Sequence, residues 1–248
     1  MTALYVFWIR QVKKYLRSPT RIFGALGQPL LFLISLGFGL GGAIPSVGGV
    51  SYLSYLIPGI VGLSILFTSF FSGIELISDR RFGFLKETLV APVGRMWIFL
   101  GQAFGGASIA TMQGFLVLVI SFLFGFKIAS FIGLILAIIT MFAISLLFTM
   151  LGLILATHIR DFQSFPIIIN FVVFPIFFLS GAIFPLTNIP KALLYVTKIN
   201  PLGYGIDMLR SSLIGSSAYS FGFSATIFAA LLAIVIWWGT VRFNKLTA

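Results

Sequence analysis

This sequence predicts an all-α membrane protein with six transmembrane helices, and three observations predict it. The chain is 59% hydrophobic and 8% charged over 248 residues, where a soluble domain carries about 25% charged residues. Its apolar residues gather into long runs of the ~20 residues a spanning helix needs. Its basic residues are also asymmetric. Six spans put both termini on one side, and of the 16 Lys and Arg only Lys127, Lys191, Lys198 and Arg210 then fall on the other. Basic loops stay cytoplasmic, so both termini are expected in the cytoplasm. A seventh crossing would move Arg242 and Lys245 outside, which argues against it.

Composition excludes several function classes. A net charge of +11 would suggest nucleic acid in a soluble protein. Here it marks cytoplasmic loops, and no nucleic-acid partner is expected. The chain has no Cys and one His. Disulfides, thiol chemistry and multi-His metal sites are therefore out, and no metal site is expected.

Residues 1–21 form the first unit, an amphipathic helix too charged to span. Leu4, Tyr5, Phe7, Trp8, Val12, Tyr15 and Leu16 share one face. Arg10, Lys13, Lys14 and Arg17 occupy the other, within an arc of roughly 100° at ~100° per residue. Such a helix lies on an anionic leaflet, so membrane lipids are its expected contacts. Ser18-Pro19 ends it.

Residues 22–248 form the six-span unit. The first span is expected over Ile22–Gly41, where Gly37 and Gly41 make a GxxxG spacing that permits close helix contact. An uncharged loop, Gly42–Ser51, leads to the second span, Tyr52–Ile77, which holds Pro58 and the cluster Phe67, Phe70 and Phe71. The third span covers Met96–Phe124 with a second GxxxG at Gly101 and Gly105, and the fourth covers Phe131–Thr157. After a polar loop, His158–Gln163, the fifth runs from Pro166 to Pro185. Asn170 and Pro175 predict a bend in it, with the freed backbone groups satisfied by neighbours. Residues 186–217 are too long for a turn and too apolar for a solvated loop. They read as an external re-entrant helical hairpin. In it Asn188 caps a helix with Pro190 in its early turn, and a second piece begins after Asn200-Pro201. The last span is Tyr219–Val241.

One interval is built for water. Residues 78–95 lie between two spans and concentrate Asp79, Arg80, Arg81, Lys86, Glu87 and Arg95. Within it a short cytoplasmic helix is expected over Phe82–Val90, with Phe82, Phe84, Leu85 and Leu89 apolar, Gly83 allowing close approach and Pro92 ending it. Apolar groups in a cytosolic loop are costly without a partner, so the loop reads as a docking site.

Chemistry has few places to reside. The five acids are Glu75, Asp79, Glu87, Asp161 and Asp207, and none is expected in mid-span, where ion-coupled transporters place such groups. No Walker loop and no hydrolase motif occurs, so catalytic residues and a cofactor of its own are not expected. His158 beside Asp161 reads as a loop anchor at a helix end. Two other classes stay open: an intramembrane lipid-processing enzyme using His158, Asp161 or Asp207, and a scaffold whose charged loop recruits a cytosolic protein.

The stretch YLIPGIVGLSILFTSFFSGIELISDRRFGFLKETLVAPVGR resembles the signature region of ABC-2 type permeases. The pattern R-x-x-G-x-x-x-x-L-x-x-P is met by Arg80, Gly83, Thr88-Leu89 and Pro92 with a shift of one or two positions. A second stretch, FPIFFLSGAIFPLTNIPKALLYVTKINPLGYGIDMLR, resembles the fifth-span exit and external hairpin of that family. FGFLKETLVAPVGR is similar to the daunorubicin-resistance-like branch. The resemblance implies an export permease that is no enzyme itself, working as a homodimer in a prokaryotic cell membrane. Two copies of a separate ATPase subunit would bind ATP and Mg and dock on Asp79–Leu85, Lys86, Glu87, Leu89, Pro92 and Arg95, the coupling loop. Residues 1–21 would be the connecting helix. The export pathway would run along the second and fifth spans, lined by Phe67, Phe70, Phe71, Asn170, Phe174, Phe177 and Phe178. With 7 Tyr against 29 Phe, a hydrophobic or amphiphilic cargo fits better than a hydrated glycan chain. Polysaccharide exporters of the same family are the competing reading.

Overall fold

The computed structural model describes residues 2–44, 46–84, 94–159, 161–185 and 190–244. Among the described residues five helices are long and apolar enough to span: α2 (Pro19–Gly39), α3 (Tyr52–Phe71) continued by α4 (Gly73–Arg81), α5 (Arg95–Ser121), α6 (Phe131–His158) and α10 (Phe221–Asn244). A shorter apolar helix, α7 (Ser164–Phe178), stands in the sixth place. Helix α3 is the most deeply buried of the long helices and packs against α2, α5 and α6. Its flanks are apolar all round, as expected of a helix enclosed by others.

Helix α1 (Thr2–Leu16) does more than lie on a surface. It packs along α5, burying Gln11 and Tyr15. Trp8 Nε1 donates to Ser108 Oγ at 2.9 Å, and the Tyr15 hydroxyl donates to Gln113 Oε1. Gly101 and Gly105 make this approach possible. A Cβ on Gly101 would lie 2.8 Å from Phe7 Cβ, and one on Gly105 would lie 2.5 Å from Gln11 Oε1. The GxxxG of α5 thus receives the amphipathic helix. Lys13 and Arg17 are exposed, and Arg10 and Lys14, also partly exposed, reach toward α4. Gly105→Ala is expected to cost about 1–3 kcal/mol by overpacking, read as a lower melting temperature in detergent.

Several boundaries differ from the sequence reading. The loop 42–51 holds an antiparallel pair, Ser46–Val47 with Val50–Ser51. Gly48 and Gly49 join the strands with φ of 59° and 84°, the two positive values that a two-residue hairpin turn requires. The expected second span is interrupted at Ser72, whose hydroxyl donates to the Ser69 carbonyl at 2.6 Å. The fifth span stops at Phe178 instead of Pro185. Its 15 residues reach only about 22 Å at 1.5 Å per residue, short of a ~30 Å hydrocarbon core. The chain continues as buried non-helical backbone through Ser180, Ala182 and Ile183.

The hairpin comes next as α8 (Lys191–Ile199) and α9 (Pro201–Ile214). Pro190 is the N-cap of α8, one position before the expected first turn. Asn188 lies outside the described residues. Asn200 caps α9 through its side chain, accepting from the Leu202 amide at 3.0 Å with Pro201 at the first helical position. Helix α9 enters the bundle and packs on α3, α6 and α10.

Candidate functional site

The edge of the bundle that carries the charged stretch is assembled by helix α4. Its Asp79 carboxylate accepts from Arg10 at 2.5 Å, across 69 residues of sequence. One turn earlier Glu75 accepts from Arg21 at 2.8 Å and lies 3.7 Å from Lys14. The acids of the charged stretch therefore bind the basic face of α1 and the start of α2. Both carboxylates are largely buried, with side chains 11% and 13% exposed, so salt screens these pairs less than ordinary surface bridges. These pairs join α4 to α1 and to the start of α2.

Beyond that tie the chain turns. Phe82 caps α4, and Gly83 takes a φ of 83°. The docking helix expected from about Phe82 starts slightly later: Phe82 closes α4, Gly83 turns the chain, and helical backbone resumes at Phe84, the last described residue before Gly94. Phe82 and Phe84 are 72% and 54% exposed. Leu85, Lys86, Glu87, Leu89 and Pro92 lie outside the described residues. Arg80, Arg81 and Arg95 border them, Arg95 opening α5.

The loop between α6 and α7 closes against this edge. Asp161 accepts from the Ser164 hydroxyl and from the amides of Gln163 and Ser164 at 3.1 and 3.0 Å. These hydrogen bonds, the Ser164 hydroxyl first, hold its carboxyl below the ordinary range, and the Arg81 charge adds to the effect. His158 Nδ1 sits 3.0 Å from the Ile154 carbonyl of its own helix. Both residues thus serve helix ends, which is anchoring geometry and not that of a nucleophile with its base.

The expected pathway residues divide in two. Phe71, Phe67, Phe174 and Phe178 form a continuous ladder across α3 and α7, with successive centroids 6.3, 5.5 and 6.2 Å apart. Asn170 is exposed one turn before Phe174, on the same face of α7. Phe70 and Phe177 instead point into the core, against Phe148 of α6 and Phe32 of α2.

A third constellation was missed by the sequence reading, which counted Arg210 among external loop cations. Arg210 is 8% exposed. Its guanidinium donates to the carbonyls of Gly181 and Ala182 at 2.8 and 2.9 Å and to that of Tyr55 at 3.3 Å. It also stacks 3.6 Å from the centroid of the Tyr55 ring. The Tyr55 hydroxyl donates to Gly181, and Asn200 Nδ2 to the Ile176 carbonyl at 2.6 Å. Together they satisfy the backbone freed where α7 stops, which lipid cannot do. On the same helix Asp207 accepts from the amides of Ala218 and Tyr219 and from Ser224 Oγ. One available signal was the spacing of Asp207 and Arg210, three apart on a helix inside an apolar segment.

Comparison with known proteins agrees with this architecture. The family model described as ABC-2 type transporter matches residues 2–214. Nodulation protein J of Rhizobium meliloti is 32% identical over 200 residues, covering 79% of this chain and 74% of its own. The putative transport permease ycf38 of Cyanophora paradoxa is 30% identical over 247 residues, covering 94% and 84%. The inner membrane transport permease YadH of Escherichia coli K12 is 26% identical over 217 residues, covering 86% and 83%. A multi-pass helical bundle whose amphipathic helix is ion-paired to the base of its charged loop is thus matched by one family model along most of its length, and the chain belongs to the ABC-2 type transporter family as a non-catalytic membrane permease that works with a separate ATPase subunit.

Proposed function

We propose that this permease exports a hydrophobic or amphiphilic substrate, drug-like or lipid-like, across a prokaryotic inner membrane with both termini in the cytoplasm. Two copies form a homodimer of twelve spans, and two ATPase subunits dock on residues 78–95. The observation that carries this reading is the cytoplasmic edge itself. Exposed Phe82 and Phe84 offer an apolar grip to a partner, and Asp79 behind them passes its movement to α1. The partly exposed ladder of Phe67, Phe71, Phe174 and Phe178, with Asn170 beside it, supplies a surface for an amphiphilic cargo. The daunorubicin-resistance-like branch is the reading that FGFLKETLVAPVGR supports.

Co-purification from native membranes in mild detergent, with ATPase and transport assays on the product, tests this. A nucleotide-hydrolysing partner in equal amount is expected. Arg81→Glu is expected to abolish transport stimulated by ATP while the melting temperature stays within about 2 °C, since a surface substitution alters stability by ~0.5 kcal/mol at most. A chain that purifies alone, or export that persists undiminished in Arg81→Glu, would sink the coupling role.

A further inference from the structure

A cavity of about 740 Å³ lies at the end of the bundle away from the charged stretch. Tyr55, Asp207 and Arg210 line its buried side, and Lys198 and Ser217 are exposed at its rim, with Ser216 beside them. Tyr55 precedes Glu75 by 20 positions along the nearly continuous α3–α4 helix, about 30 Å at 1.5 Å per residue. The volume is that of a site for a small ligand, typically ~300–1,000 Å³.

Two observations say what the cavity takes. The first is an unused donor. Arg210 is nine-tenths buried, and it gives Nε to the Tyr55 carbonyl and Nη2 to those of Gly181 and Ala182. Nη1 makes no hydrogen bond among the described residues. A buried charged donor without an acceptor is costly, so it marks a place where an acceptor binds. The second is the balance of charge. Asp207 lines the same cavity, but its oxygens accept from the Ala218 and Tyr219 amides and from Ser224 Oγ. No ion pair joins it to Arg210 among the described residues. Lys198 adds a second cation, held at the rim because its own carbonyl accepts from the Tyr204 hydroxyl at 2.8 Å. No other acid of the chain is at hand. Glu75, Asp79 and Asp161 sit at the opposite edge, and Glu87 belongs to the charged stretch. Residues 186–189, Leu-Thr-Asn-Ile, carry no charge.

We propose that this cavity binds the phosphate group of a small hydroxyl-bearing molecule. One phosphate oxygen accepts from Arg210 Nη1, on α9, and another meets the Lys198 ammonium, on α8. A phosphate presents oxygens on several sides, so it serves two cations that come from different helices. The Ser216 and Ser217 hydroxyls beside it suit an alcohol on the same molecule. The site goes beyond the export reading and stands without it. The shared chemistry is that of glycerol phosphate, which a free phosphate ester or a phosphatidylglycerol headgroup supplies.

The test is the acetylation rate of Lys198 by a water-soluble N-hydroxysuccinimide ester, followed by peptide mass spectrometry. The protein is the permease with its co-purified partner in phosphatidylcholine nanodiscs. Lys191, exposed on the same helix and outside the cavity lining, is the internal control. sn-Glycerol 3-phosphate is expected to slow Lys198 saturably, by about threefold at a concentration of two Kd, where 1 + [L]/Kd is three. Lys191 should keep its rate, and glycerol or sodium chloride at matched ionic strength should protect neither. If the source is lipid, Lys198 is protected against Lys191 in phosphatidylglycerol nanodiscs with nothing added, and the free ester protects little further. Ser217→Trp, an exposed loop position, should abolish the protection by filling the rim. Equal slowing of both lysines, protection by chloride, or no protection by either source would each overturn the site. So would full protection in a folded Ser217→Trp variant. Arg210→Met is not used, because it also frees the backbone carbonyls after α7, and the arms on unaltered protein decide the matter if Ser217→Trp fails to fold.

Discussion

Arg210→Met is expected to destabilise the protein by about 3 kcal/mol. The side chain is of similar length and apolar, so volume is nearly kept and the loss isolates hydrogen bonding and charge. The carbonyls of Ala182 and Tyr55 lose their guanidinium donor, while Gly181 keeps the Tyr55 hydroxyl. Each carbonyl left bare costs about 1–3 kcal/mol. The Tyr55 carbonyl lies within α3 and retains a helical donor, which puts it at the low end. Stacking of the guanidinium on the Tyr55 ring at 3.6 Å adds up to ~2 kcal/mol when desolvated. Against these stands the relief of burying a cation, which keeps the total near 3. In a chain of this size that corresponds to a fall of about 6–12 °C in melting temperature. Arg210→Lys should rescue little, because an ammonium on a flexible stem cannot reproduce the fork that spans three carbonyls. A melting temperature unchanged in the Met variant would mean that the backbone after α7 is satisfied by other means.

The same junction shows why part of this structure was legible in the sequence and part was not. The long apolar runs placed α2, α3, α5, α6 and α10, and Ser18-Pro19 and Asn200-Pro201 marked two helix boundaries. Hydropathy reads length, and Leu179–Pro185 is as apolar as a helix. Whether such a segment is coil depends on who satisfies its carbonyls, and here the donors are Tyr55 and Arg210, 126 and 29 residues from Gly181. That information is not local. The Gly101–Gly105 spacing likewise showed that something packs closely but could not say that α1 is what packs. The aromatic ladder was only half readable. Periodicity separates Phe67 and Phe71 from Phe70 on α3, yet which side faces the core is decided by Phe148 on another helix. In the charged stretch the acids were visible, but their partners on α1 were not, since α1 and α4 are about seventy residues apart in sequence.

Those partners carry the last expectation. Arg10→Glu should lower ATP-driven transport about tenfold or more, and Asp79→Arg should do the same. Each places like charges where the native pair sits at 2.5 Å, converting an attraction into a repulsion. The ATPase partner should still bind, since Phe82 and Phe84 are untouched and remain exposed. What fails is transmission, because a displaced α4 no longer carries α1 with it. The double variant Arg10→Glu with Asp79→Arg restores opposite charges with the sides exchanged. Residues in direct contact are non-additive, and a recovery to within about threefold of the native rate is the coupling signature. The packing of α1 on Gly101 and Gly105 of α5 is untouched, so α1 stays on the bundle in all three variants and the comparison is between rates, not between folded and unfolded chains. Binding of the ATPase lost in step with transport would assign the pair to docking. Two single variants with native rates would show that coupling does not need the ion pair, with α1 held by its packing on Gly101 and Gly105 of α5 and by the Lys14 contact to Glu75.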